Sequence, residues 1–207
     1  MEIQFYGGNC LRITTKKAQI VIDDNLAELG LKSVAKPTDI SLRTFGRVPA
    51  HKSAFEANIP GEYEIADAAI HGVAARAHMD EEGKTSATIF TIESGDFKVA
   101  VLGHIYPELS EDQLEAIGMV DIAIIPVGNS GYTLDGIGAL KIIKQIEPKV
   151  IIPTHFADKG VKYEVPQVEL SEAAKNMAME QSEPIEKYKA KAGELPDTTQ
   201  LVILKRL

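Results

Sequence analysis

Apolar and polar positions alternate through the first quarter of the chain. Ile3 and Phe5 are spaced by polar residues, Leu11 and Ile13 flank Arg12 after Gly7-Gly8, and Gln19-Ile20-Val21-Ile22 closes on Asp23-Asp24-Asn25. This period of two, broken by turn residues, predicts strand, turn, strand, turn, strand. Over residues 25–60 the pattern weakens, and Pro37, Gly46, Pro49 and Pro60 punctuate it. That segment reads as loop with one or two short strands. From Gly61 the alternation returns in Glu62–Ile65, Ala69–Ala77, Ala87–Glu93 and Phe97–Leu102. With turns at Asp80–Lys84 and Ser94-Gly95-Asp96, these predict an antiparallel meander.

Past residue 102 the period changes. Ser110 followed three residues later by Gln113 is a capping box, and a short helix should run from there to Ile117 and stop at Gly118. Asp121–Val127 is continuously apolar, as a strand buried on both faces requires, and Lys149–Pro153 is a second such strand. Between them Asp135 caps a helix over Gly136–Ile146, with Ala139, Ile142, Ile143 and Ile146 on one face. A polar helix over Leu170–Gln181 and a closing strand at Leu201–Leu204 complete the order. A β-rich first half and a β-α-β-α second half predict one α/β domain spanning 1–207, with mixed sheets and helices outside.

Composition narrows the partners. Lys and Arg total 22 against 30 Asp and Glu, a net charge of −8. That balance opposes nucleic acid, whose phosphates call for basic surface, and anionic membrane alike. The single cysteine, Cys10, permits no intramolecular disulfide and no cysteine zinc cage. Its place after a turn into a strand reads as an inert thiol. Met1-Glu2-Ile3-Gln4 has neither the basic nor the apolar region of a signal peptide, so a cytoplasmic location is the expectation.

Candidate chemistry gathers at strand ends. His78 ends Ala69–Ala77, His104 follows Phe97–Leu102 after Gly103, and His155 follows the buried strand after Pro153-Thr154. Ligands of α/β folds collect where strand ends meet loops, and three imidazoles there could share one divalent ion such as zinc. Each could equally be a satisfied turn residue. His71 lies inside a strand, and His51 sits in the proline-broken loop. Asp80 could approach a metal held by His78, and Asp23 or Asp24 could be a turn residue or could orient a ligand from behind. Gly128-Asn129-Ser130-Gly131 could offer backbone N–H groups to an anion, but it matches neither glycine-rich nucleotide motif, and no Gly-x-Ser-x-Gly elbow occurs.

A series of short matches spans nearly the whole chain: Phe5-Tyr6-Gly7, Val21-Ile22-Asp23, Asp39-Ile40, Gly61-Glu62-Tyr63-Glu64, Ala77-His78-Met79-Asp80, Leu102-Gly103, Ile125-Pro126-Val127-Gly128, Tyr132-Thr133-Leu134-Asp135 and Ile151-Ile152-Pro153-Thr154-His155. On these residues the sequence resembles the metallo-β-lactamase superfamily, in its small branch of zinc-dependent hydrolases related to ascorbate-phosphate lactonases. The resemblance implies an αββα sandwich, two mixed sheets flanked by helices, with metal chemistry at one edge.

The departures fall on the metal ligands. The family motif His-x-His-x-Asp-His corresponds to Thr44–His51, so Phe45, Arg47, Pro49 and Ala50 stand at ligand positions, with His51 one place late. His104 replaces the bridging aspartate, and Gly7-Gly8 replaces an early Gly-His. His78 and His155 remain. Two readings follow from the resemblance. In one the chain is a non-catalytic pseudoenzyme, a binding or structural protein whose pocket around Arg47, His51 and Asp80 takes a small anionic ligand. In the other one zinc ion on His78, His104 and His155 hydrolyses an ester, lactone or phosphoester, with Arg47 orienting an anionic group of the substrate.

Overall fold

A computed structural model describes all residues from 1 to 207. The strands in chain order are β1 (Glu2–Gly7), β2 (Cys10–Thr14), β3 (Gln19–Ile22), β4 (Ile40–Leu42), β5 (Phe55–Ala57), β6 (Gly61–Ile65), β7 (Ala68–Ala75), β8 (Ala87–Ser94), β9 (Phe97–Val101), β10 (Ile122–Pro126), β11 (Val150–Thr154), β12 (Tyr188–Lys189) and β13 (Gln200–Leu201). The helices are α1 (Glu111–Ile117), α2 (Gly136–Ile146) and α3 (Leu170–Asn176). One sheet runs β12-β1-β2-β3-β4-β5 and the other β13-β11-β10-β9-β8-β7-β6. Both are mixed. The meander β6–β9 is antiparallel as expected, and β10 lies parallel between β9 and β11.

The two faces of the second sheet bury different layers. Ile70, Phe90, Ile92, Val99, Ile122, Ile124 and Ile152 face the first sheet, where they meet Ile3, Leu11, Ile13, Ile20, Ile22 and Leu42. Ala100, Ala123, Ile125 and Ile151 face away, under Ile117 of α1, Ile142 and Ile146 of α2 and Ala173 of α3. Because alternate residues of a strand point to opposite faces, β10 and β11 must be apolar throughout, which is the unbroken pattern the sequence carries.

The two-sheet sandwich is the predicted architecture, but its helices all lie on one side. The outer face of the first sheet, with Cys10 and Val21, is covered instead by Leu26, Leu31, Val34 and Ala35 from an irregular segment. The Asp24 carboxylate knits that segment together by accepting hydrogen bonds from Ser33 Oγ at 2.7 Å, Val34 N at 2.8 Å and Ala35 N at 2.7 Å. Buried Arg12 pins it from beneath, donating to the Val34 carbonyl at 2.7 Å and pairing with Asp39 at 3.1 Å.

Other boundaries shift. The helix expected over Leu170–Gln181 stops at Asn176, where Ala178 takes a left-handed φ of 55° and ends the turn. The closing strand expected over Leu201–Leu204 keeps only Gln200–Leu201 in the sheet, with Leu204 making an isolated bridge to Ile185. β7 ends at Ala75, three residues before His78, so that histidine stands on a loop and not on a strand end.

Candidate functional site

Strand ends from both sheets meet over one cavity. β3 ends at Ile22 before Asp23, β4 at Leu42 before Thr44, and β11 at Thr154 before His155. A buried polar chain ties them together. Thr154 Oγ1 donates to Asn9 Oδ1 at 2.6 Å, Asn9 Nδ2 donates to Asp23 Oδ2 at 2.6 Å, and Thr44 donates to Asp23 through its N at 2.7 Å and its Oγ1 at 2.5 Å. Burial raises the Asp23 carboxyl to about 6 against the pull of these donors. Asp23 thus becomes a keystone under the cavity, and the sequence alternative of a plain turn residue gives way to that role.

Above this chain lie the histidines. Gly103 holds φ at 61°, and a Cβ there would strike the Thr44 side chain, so only glycine lets β9 pass close enough to deliver His104. His155 has a φ of 55°, and its N–H donates to the Gly8 carbonyl at 2.7 Å, bridging the two sheets. The rings of His104 and His155 stand 5.1 Å apart, nearly perpendicular. Phe45 stacks on the other side of His104 at 5.5 Å, and Tyr163 lies 5.0 Å beyond His155. Four flat rings therefore run in series. Burial, then the neighbouring His155 and His78, lower His104 to about 3, and burial also lowers His155.

His78 is tied to His104 through the backbone. Its N–H donates to the His104 carbonyl at 2.7 Å, while its imidazole faces Tyr106 at 6.1 Å. Nδ1 of His78 and Nδ1 of His104 are both buried without a partner. Asp80 spends its carboxylate on its own turn, accepting from Ala77 N at 2.9 Å, Ser86 N at 2.8 Å and Ser86 Oγ. His51 bonds through Nε2 to the Asp24 carbonyl, and His71 lies inside β7, paired with Glu62 and Thr91.

The cavity holds about 130 Å³. Of the candidates, Arg47, His104 and His155 line it, with Phe45, Tyr132, Lys162, Tyr163 and Gln167. His78, His51 and Asp80 do not. The Arg47 guanidinium lies 6.0 Å from the Phe45 ring and 5.9 Å from that of Tyr132. Sequence reasoning gives no site role to Asn9, Thr44, Thr154, Tyr132, Lys162, Tyr163 or Gln167. Thr44 and Thr154 sit beside residues that were singled out, whereas Tyr163 and Gln167 come from a loop with no motif.

The donors as placed do not fit a two-metal centre. Phe45, Pro49 and Ala50 carry no ligand atom, Arg47 brings a positive charge, and no three His, Cys, Asp or Glu side chains are grouped so as to hold a metal ion. No helix is long and apolar enough to cross a membrane.

The family model described as beta-lactamase superfamily domain matches residues 2–155. Among solved structures, the chain is similar to a candidate zinc-dependent hydrolase of the metallo-β-lactamase superfamily from Thermotoga maritima, with a TM-score of 0.76, 22% identity, and 99% of this chain and 98% of that one covered. It is also similar to a candidate metal-dependent hydrolase from Parabacteroides distasonis, with a TM-score of 0.66, 16% identity and coverage of 98% and 93%. A third likeness is to an isothiocyanate hydrolase from Delia radicum gut bacteria, with a TM-score of 0.66, 11% identity and coverage of 100% and 97%. At these identities the likeness is one of fold. No curated protein matches the chain by sequence.

Proposed function

The chain belongs to the β-lactamase superfamily domain family, and from that premise we propose that it is a non-catalytic member, a pseudoenzyme that binds a small anionic ligand in the cavity beside His104 and His155. Within the family we place it near the ascorbate-phosphate lactonase-like branch, on the residue series carried by its sequence. One observation carries the reading: Phe45 and Arg47, which the resemblance puts at metal-ligand positions, line the cavity, a ring against His104 and a cation beside that ring. A fixed positive charge repels dications and attracts an anion. Arg47 makes no ion pair within the chain, so its charge is available to a ligand.

A second reading, a mononuclear metal-dependent hydrolase of esters, lactones or phosphoesters, is favoured by the unpartnered Nδ1 atoms of His78 and His104. It requires the His78 ring to leave Tyr106 and join the other two. Metal analysis of protein purified without a histidine tag, followed by zinc titration, separates the readings. The binding reading expects no stoichiometric zinc. One zinc per chain, lost in both His104→Ala and His155→Ala, would replace it with the metal reading.

A further inference from the structure

The hydrogen bonds behind His155 fix which of its nitrogens carries the proton. Gln167 Nε2 donates to the Val165 carbonyl at 2.9 Å, which leaves Gln167 Oε1 as an acceptor. Oε1 lies 3.1 Å from His155 Nδ1, so Nδ1 must be the donor. A neutral imidazole has one donor and one acceptor, and His155 therefore holds Nε2 as a bare lone pair. His155 lines the cavity, and His104 Nδ1, itself without a partner, does not bond to that lone pair. An acceptor awaiting a donor is met by a ligand that carries a hydroxyl.

Shape and charge restrict that ligand further. Phe45, His104, His155 and Tyr163, packed on one another at 5.0 to 5.5 Å and at angles from 25° to 84°, make an aromatic wall against which another ring can pack edge or face. A volume of about 130 Å³ is that of one six-membered ring, since an apolar cavity of about 150 Å³ takes up benzene. Arg47 and Lys162 line the rim without ion pairs. Glu28 and Glu164 line it too, and Glu164 accepts from the Tyr132 hydroxyl at 3.3 Å. Arg47, held between two aromatic faces, is the cation placed to receive a carboxylate.

We propose that this cavity binds a phenolic acid, a single aromatic ring bearing one hydroxyl and one carboxylate. The ring packs against the aromatic wall, the hydroxyl donates to His155 Nε2, and the carboxylate pairs with Arg47. Gln167 is a positioning residue that keeps the lone pair of His155 pointed at the hydroxyl. The assignment rests on reading the site as an anion pocket and adds the chemical class of the ligand.

Calorimetric titration of the full chain with 3- and 4-hydroxybenzoate, benzoate and 4-hydroxybenzyl alcohol tests it. One hydroxybenzoate isomer should bind one to one, with benzoate and the alcohol each about tenfold weaker, the worth of one good hydrogen bond or exposed ion pair. Arg47→Ala, an exposed change, should abolish the advantage over the alcohol. Gln167→Leu should abolish the advantage over benzoate while Arg47 still selects acids, which a merely structural role for Gln167 would not produce. An unchanged thermal midpoint certifies the fold of each variant. If benzoate binds as well as both hydroxybenzoates and depends on Arg47, the phenolic assignment is overturned and the anion pocket stands. If no acid binds and zinc does, both fall.

Discussion

At His104, burial and the two neighbouring imidazoles hold the ring neutral, with its pKa lowered to about 3. In the unfolded chain the same side chain takes up a proton near its ordinary 6.5. Between those values the unfolded state binds a proton that the native state refuses, so stability falls as pH falls. Burial lowers His155 and His78 in the same sense. Asp23 works the other way: raised from 3.8 to about 6, it gains stability as pH falls through that window. The prediction is a decline that starts below pH 6.5 and is partly offset below 6, with His104 alone contributing up to about 1.4 kcal/mol per pH unit. Urea midpoints at pH 7, 6 and 5 measure it, and His104→Phe, which keeps a ring against Phe45 but cannot titrate, should flatten the curve. Equal stability of wild type at pH 7 and pH 5 would contradict the neutral buried pair His104 and His155. A second residue-scale prediction concerns Asn9, whose amide bridges Asp23 and Thr154. Asn9→Ala leaves a buried carboxylate and a buried hydroxyl short of partners, at a cost of about 2–3 kcal/mol by denaturant unfolding.

Elements differ in how openly the sequence announces them. α1 was legible because its capping box is local: Ser110 Oγ accepts from Gln113 N, and the Gln113 side chain accepts from Ser110 N. α2 was legible from Asp135, whose side chain accepts from Gly138 N at 2.7 Å, and from its apolar face. Asp135→Ala should cost about 1 kcal/mol, read by urea unfolding, since the N-cap acceptor is lost. The segment 24–36 was not legible. It covers a sheet without any period of its own, and what orders it is one carboxylate, Asp24, binding three groups nine to eleven residues away. The same holds at the site. His104 and His155 could be picked out because each follows an apolar strand, but Tyr163 and Gln167 reach the cavity through a turn that only the folded chain defines. His78 meets His104 through the backbone, while its ring faces Tyr106. Gly128 links element to site: a Cβ there would strike the His155 carbonyl and the Gln167 side chain. Gly128→Ala should destabilise by about 1–3 kcal/mol and displace the pair that holds the Nε2 lone pair, so ligand affinity should fall with it.

For the molecule as a whole, the second sheet is the shared wall of two apolar layers, and the cavity sits where the end of that wall meets the first sheet. Residues 151 and 152 of β11 sample the two layers. Ile151 packs under the helices, Ile152 packs against the first sheet, and both are fully buried. In a sheet with one wet face, one of two successive positions tolerates truncation. Here neither should: Ile151→Ala and Ile152→Ala each remove a branched side chain from a closed layer and leave a cavity, at about 2–5 kcal/mol apiece. The two changes part company at the site. Ile152 belongs to the layer that spaces the sheets, and the polar chain from Thr154 through Asn9 to Asp23 and Thr44 crosses that same gap. Relaxation around Ile152→Ala should therefore loosen the alignment of His155 with Phe45 and weaken ligand binding, whereas Ile151→Ala should relax into the helix layer and leave affinity within about twofold at a temperature where both variants are folded. Denaturant unfolding of the pair measures the first expectation and calorimetric titration the second. A cost below about 1 kcal/mol at either position would mean that one face of β11 is open to water and that the layered description is wrong.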